Sequence, residues 1–132
     1  MLAELNALAN DEIDAWIHAA AVLDYVVKSP AEGKLASQQG PLTVELIESS
    51  KHILELKKKC SDAVRIGFKL ETGIKQKELV RRAFSQLEYS EMTAVVANRL
   101  EDINDDTKPR AYLVDSTGAD YTLQTMLDVC VA

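Results

Sequence analysis

The sequence predicts an α/β domain of Rossmann type, with helices on both faces of a mostly parallel sheet, and three observations carry that expectation. Short apolar runs recur at residues 13–19, 63–68 and 92–97. They are too short for helices and suit strands buried on both faces. Amphipathic segments separate them, clearest at residues 76–87, where Leu79, Val80, Ala83, Phe84 and Leu87 share one helical face and Lys77, Glu78, Arg81 and Gln86 the other. Each run also stops abruptly in small or polar residues, as strands do when they deliver side chains to a ligand crevice.

Residues 2–9 are strong helix formers with Leu2, Leu5 and Leu8 at helical spacing. Residues 13–19 form the first strand. The stretch from Val22 to Gly40 carries Ser29-Pro30, Gly33 and Gly40, followed by Pro41, which predicts an irregular flap over a site. Residues 42–47 alternate apolar and polar, the pattern of a half-exposed strand near a sheet edge. Ser50 is placed to cap a helix over residues 51–60, whose last turn holds Lys57-Lys58-Lys59, favourable to the helix dipole. Residues 63–68 and 92–97 are buried strands on either side of the 76–87 helix. Residues 102–109 are polar and turn-rich, 111–114 a strand, 116–118 a turn, and 125–131 a last short helix.

The 132 residues suit one domain with one core, and the composition, 47% apolar and 27% charged, is that of a soluble globular chain. A net charge of -6 disfavours bulk attraction to nucleic acid or an anionic membrane. No apolar run approaches the roughly 18 residues that cross a bilayer. The N-terminus lacks the basic region of a signal peptide, so a cytoplasmic chain is expected. Cys60 and Cys130 fit no CxxC pattern and His18 and His52 are the only histidines, which argues against a protein-held metal.

The stretch of chemical interest is Ala19-Ala20-Ala21-Val22-Leu23-Asp24-Tyr25, which the flap with Gly33-Lys34-Leu35 follows. Small side chains at a strand end let a ligand approach the backbone. Asp24 adds an acceptor and Lys34 a mobile cation. Taken singly, each has a plain structural reading: the alanines as tight packing, Asp24 as a turn or cap residue, Lys34 as a solvated lysine, Phe68 as core, Asn98 as a turn residue. Trp16 and His18 read as core.

The phrases in order carry more. Ala19 to Tyr25, Gly33-Lys34-Leu35 with Gly40-Pro41-Leu42, Ile66-Gly67-Phe68-Lys69-Leu70-Glu71-Thr72 and Val95-Val96-Ala97-Asn98 together resemble the phosphopantothenate–cysteine ligase family of coenzyme A biosynthesis. The Phe68–Thr72 wording is nearer the eukaryotic, stand-alone type than the bacterial fusion with a flavin decarboxylase, and no flavin module is expected. The resemblance implies that the carboxylate of 4′-phosphopantothenate attacks the α-phosphate of CTP or ATP, bound with magnesium, and that the amine of cysteine then displaces the nucleotide. It places Ala20, Ala21 and Asp24 on phosphopantothenate, Lys34 on the charge that develops at the α-phosphate, and Phe68, Lys69 and Asn98 on the nucleotide. It also implies a homodimer with the site near the subunit boundary.

Two departures stand out. Leu35, Ala36 and Ser37 replace the further lysines usual after the flap lysine. The family's glycine-rich turn precedes the alanine strand, and nothing of GxGxxG form occurs here. The resemblance thus covers the C-terminal half to two-thirds of the family domain. The expectation is an exposed sheet edge, with the first strands supplied by another chain or an association that covers the edge. A binding module that has lost catalysis and an unrelated dinucleotide-binding domain are the competing readings, and the missing GxGxxG argues against the second.

Overall fold

The computed structural model describes residues 2–9, 13–37, 40–60, 62–117 and the backbone of 120–123. Its best-buried run is Ala94-Val95-Val96-Ala97, with exposures of 8, 0, 3 and 0%. Such a run is possible only where both sheet faces are covered at that point and strands lie on either side. The sheet has the order β1 (Ala15–Ile17), β4 (Val64–Glu71), β5 (Ala94–Arg99), β6 (Ala111–Asp115), β7 (Asp120–Leu123). The first three are parallel, with Trp16 opposite Arg65 and Phe68 opposite Val96, and the last two are antiparallel.

Two of those strands differ from expectation in extent. β1 is three residues long and lies at the edge, with Ile17 61% exposed, so it is not the buried strand that its apolar residues suggest. β7 continues from the turn after β6 as a hairpin that the sequence reading missed. The helix expected at 125–131 lies outside the described residues.

The helices are α1 (Leu2–Leu8), α2 (His52–Lys57) and α3 (Gln76–Ser90). On α3, Leu79, Ala83 and Leu87 recur at helical spacing and pack with Val95, Ala97, Tyr112 and Val114. Ile53 brings α2 onto the same core, and α1 lies against α2. These three α-helices therefore occupy one face. The other face carries the smaller cluster of Val96, Ala111, Ile66, Phe68 and Leu113. α2 is shorter than expected, and its N-cap is Lys51, without a side-chain cap bond from Ser50.

Part of the flap is ordered into a ribbon. β2 (Tyr25–Val27) pairs antiparallel with β3 (Leu46–Glu48), apart from the main sheet. The strand expected at 42–47 is thus displaced to 46–48, and its partner lies inside the segment read as irregular.

α3 ends on Glu91, which holds the left-handed conformation at φ 48° and ψ 44°. A side chain there costs roughly 1–2 kcal/mol of backbone strain. Glycine would relieve it, offset by greater unfolded-chain freedom and loss of the half-exposed Lys57–Glu91 pair at 2.6 Å. Glu91→Gly is expected to gain about 0.5 kcal/mol. The urea midpoint checks this, and an unchanged or lower midpoint would mean that the ion pair outweighs the relief.

Candidate functional site

Strand polarity decides where a site can form. β1 and β4 run the same way, so their carboxyl ends open at one rim, where the chain leaves β1 through His18, Ala19 and Ala20. α3 returns antiparallel to them, which places its early residues Arg81 and Arg82 at that rim and Tyr89 and Ser90 at the opposite end. A cavity of about 710 Å³ lies between this helix, α2 and the two strands. Its volume is that of a small-molecule site.

Ala20, Asp24, Phe68 and Lys69 all border this cavity. Lys69 and Glu71 are 3.2 Å apart, and Arg82 reaches the same carboxylate at 2.9 Å. Glu78 accepts hydrogen bonds from Arg81 and Arg82. These bonds, from Arg81 first and Arg82 next, push the Glu78 carboxyl down to about 2. For Glu71, burial alone would raise the carboxyl, but hydrogen bonds from Lys69 and Arg82 hold it below its ordinary value. The rim thus carries three cations whose charge is shared with two ionised carboxylates. That arrangement orients lysine and arginine head groups without quenching them and suits an anionic ligand.

Other expected site residues lie elsewhere. Phe68 also packs into the cluster on the helix-free face. Asn98, opposite Leu70 in register, falls on that same face by strand alternation, clear of the cavity lining. Ala21 and Lys34 are exposed and do not line the cavity. Lys34 follows Gly33, whose φ of 88° suits glycine alone. The residues assigned to phosphopantothenate and nucleotide therefore divide between two faces of one sheet rim. Among the described residues, no group of three or more His, Cys, Asp or Glu side chains is placed to hold a metal ion, and no helix is long and apolar enough to cross a membrane.

The cavity also has residues that sequence reasoning put in the core. Trp16 and His18 stack with centroids 6.1 Å apart and both line it, as do His52 and Ser90. The available signal was His18 itself, a polar residue directly before the alanine run. Burial lowers the pKa of His18 from 6.5, and the charges of Arg65 and His52 lower it further. The unfolded chain therefore binds the proton more readily than the folded one. This contribution to stability is whole above pH 6.5 and is lost as pH falls toward the folded value. Wild type is expected to lose more melting temperature between about pH 7.5 and 5.5 than His18→Leu does. Parallel losses in the two proteins would remove His18 as the cause.

Parallel strands that open on a cavity at their carboxyl rim, beside a return helix bearing cations, define a Rossmann-like α/β domain. Residues 1–131 match the family described as the DNA/pantothenate metabolism flavoprotein C-terminal domain, and the chain belongs to that family. It is 38% identical over 96 residues to the coenzyme A biosynthesis bifunctional protein CoaBC of Thermococcus kodakarensis, covering 73% of this chain. The CoaBC of Methanocaldococcus jannaschii is 38% identical over 100 residues, covering 76% of this chain. The matches span 24% of the length of each of these curated relatives. Solved structures support the fold. The DNA/pantothenate metabolism flavoprotein of Streptococcus pneumoniae superposes with TM-score 0.78 at 19% identity, over 98% of this chain and 65% of that one. A Cab2 mutant in complex with phosphopantothenate-cysteine gives TM-score 0.59 at 22% identity, over 80% and 36%.

Proposed function

We propose that this chain supplies the acid-binding part of a ligase that joins cysteine to 4′-phosphopantothenate in coenzyme A biosynthesis. The observation that supports it is the cavity bordered by Ala20, Asp24, Phe68 and Lys69 at the sheet's carboxyl rim. In this reading Ala20 and Ala21 let the substrate meet the backbone. Asp24 accepts its hydroxyl or amide hydrogen, and Lys69 holds an anionic end. A carboxylate oxygen of the acid bonds to the α-phosphorus of CTP or ATP as pyrophosphate leaves. The cysteine amine then bonds to the acyl carbon, releasing the nucleoside monophosphate and a proton. Phe68 and Asn98 contact the nucleotide from the other face of the rim. Magnesium that accompanies the triphosphate is held largely by its phosphates. Lys34 offsets the charge that builds at phosphorus once the flap closes.

The position of Lys34, exposed and away from the cavity lining, favours a second reading. In that reading the chain binds the acid and a partner chain completes the chemistry. Pyrophosphate release by the 132-residue chain, given 4′-phosphopantothenate, cysteine and CTP or ATP, separates the two. Release that depends on the acid supports the ligase and names the nucleotide. Binding by calorimetry without release supports the binding module.

The ribbon supports a homodimer. Tyr25, Val27, Leu46 and Ile47 are 54, 43, 55 and 44% exposed, and two strands alone are marginally stable in water. A second copy that pairs along this ribbon would cover them. Sedimentation of the chain with Ile47→Lys should then shift toward the monomer.

A further inference from the structure

β1 ends at Ile17, and the next N–H, that of His18, donates to the Ile66 carbonyl at 2.9 Å. The bond holds His18 at the carboxyl rim, level with Gly67, which has no side chain to fill the space beside it. The imidazole stacks on Trp16 and lines the cavity. Its Nε2 is buried and has no hydrogen-bond partner among the described residues. In an imidazolium both ring nitrogens donate, so Nε2 would then be a buried donor without an acceptor. The surroundings oppose that charge as well. Burial first, then the charges of Arg65 on β4 and His52 on α2, hold His18 below its ordinary value. Arg65 is fixed by its bonds to the carbonyls of Ser90 and Glu91, so its charge stays in place. Lys51 before α2, Lys69 on β4 and Arg81 and Arg82 on α3 are further cations of the lining. Asp24 is the one carboxylate among the described lining residues.

We infer that His18 is an anion-binding residue of this cavity, and that it takes one proton from solvent when an anionic group of the bound acid enters at the rim. The inference rests on the phosphopantothenate reading and extends it, by naming the residue that responds to the ligand's charge. Lys69 lies two residues beyond Gly67 on the same face of β4, roughly 7 Å along the strand. An anion held by Lys69 therefore sits within one side-chain repeat of the imidazole, where an opposite charge favours the protonated ring. It offsets the charges of Arg65 and His52 that oppose protonation. It also supplies the acceptor that Nε2–H lacks. The only bond formed is the new N–H of the imidazole. The proton comes from water or buffer, and nothing is oxidised or released. Histidine is the side chain whose ordinary titration falls near neutral pH, and His18 and His52 are the only two in the chain. Of these, His18 is the one that stands at the rim beside the Lys69 strand.

The test is calorimetry of 4′-phosphopantothenate binding at about pH 6.5, in buffers of different ionisation enthalpy, which counts the protons taken up. It compares wild type, His18→Gln and His52→Gln, each checked by a melting curve. The phosphate of the ligand also exchanges protons near this pH, so the readout is the difference between proteins. Wild type and His52→Gln are expected to take up more protons than His18→Gln, by up to about one. Between about pH 7.5 and 5.5, wild-type affinity is expected to gain about fivefold over that of His18→Gln, because a group that binds its proton more tightly in the complex strengthens binding as pH falls. Imidazole NMR of the wild type reads the same event without a substitution at His18, with His52→Gln assigning the two signals. The His18 midpoint should move to higher pH on saturation with ligand. A His18 midpoint that the ligand leaves in place, with equal proton counts for wild type and His18→Gln, overturns the inference and leaves the ligase reading standing. An excess of protons lost in His52→Gln and kept in His18→Gln also overturns it. A wild-type chain that does not bind 4′-phosphopantothenate removes the phosphopantothenate reading and the inference with it.

Discussion

Replacing Arg65 by methionine is expected to cost roughly 3 kcal/mol of folding stability. Arg65 is 3% exposed, and its guanidinium donates to the carbonyl oxygens of Ser90 at 3.4 Å and Glu91 at 2.5 Å. These carbonyls close the carboxyl-terminal end of α3, where the helix leaves acceptors without internal partners and its dipole is negative. The backbone N–H of Arg65 donates to Thr93 Oγ1, and its carbonyl accepts from the Thr93 N–H. One residue therefore joins β4, the end of α3 and the entry to β5. Methionine fills much of the volume but leaves the buried Ser90 carbonyl and the partly buried Glu91 carbonyl without this donor. Each hydrogen bond to a charged group is worth about 1.5 kcal/mol or more. Urea denaturation gives the number. A loss under about 1 kcal/mol would show that the helix end finds other donors.

The second large effect is on chemistry. Lys34→Gln is expected to lower turnover about 100-fold while the dissociation constant for 4′-phosphopantothenate changes less than about threefold. Lys34 is exposed on the flap and outside the cavity lining, so it adds little to ground-state binding. Its charge matters when the flap closes and negative charge gathers at the α-phosphate. Initial rates of pyrophosphate release and calorimetry separate the two quantities. Equal losses in rate and affinity would make Lys34 an ordinary binding residue.

Much of the scaffold was legible in the sequence, for a physical reason. α3 and β5 bury their side chains against partners that do not depend on fine geometry, so periodicity alone marks Leu79, Ala83 and Leu87 or the run at 94–97. The ribbon was not legible, because Tyr25-Val26-Val27 is only three residues long and sits among turn formers. Its pairing with residues 46–48 is a long-range event that no local pattern encodes. Of the residues that border the cavity, Ala20 and Asp24 were marked by composition, whereas Ala21 lies outside its lining. Trp16 and His18 were not marked, since an aromatic residue and a histidine in an apolar strand look the same whether they meet a helix or a cavity. Arg65 was equally hidden. A charged residue in a strand pattern reads as solvent-facing until the strand beside it and the helix end above it are in place.

The ribbon has one further consequence, for hydrogen exchange. Few contacts hold it to the sheet, so its amides are expected to exchange through local opening, while those of β5, paired on both sides, wait for global unfolding. The exception is the Ser49 N–H, which donates to the Asp24 carbonyl at 2.8 Å. Asp24 borders the cavity, so the ribbon's last bond and the cavity share a residue. A ligand that holds Asp24 raises the cost of breaking that bond. Protection of the Ser49 amide then becomes a reporter of cavity occupancy that requires no turnover.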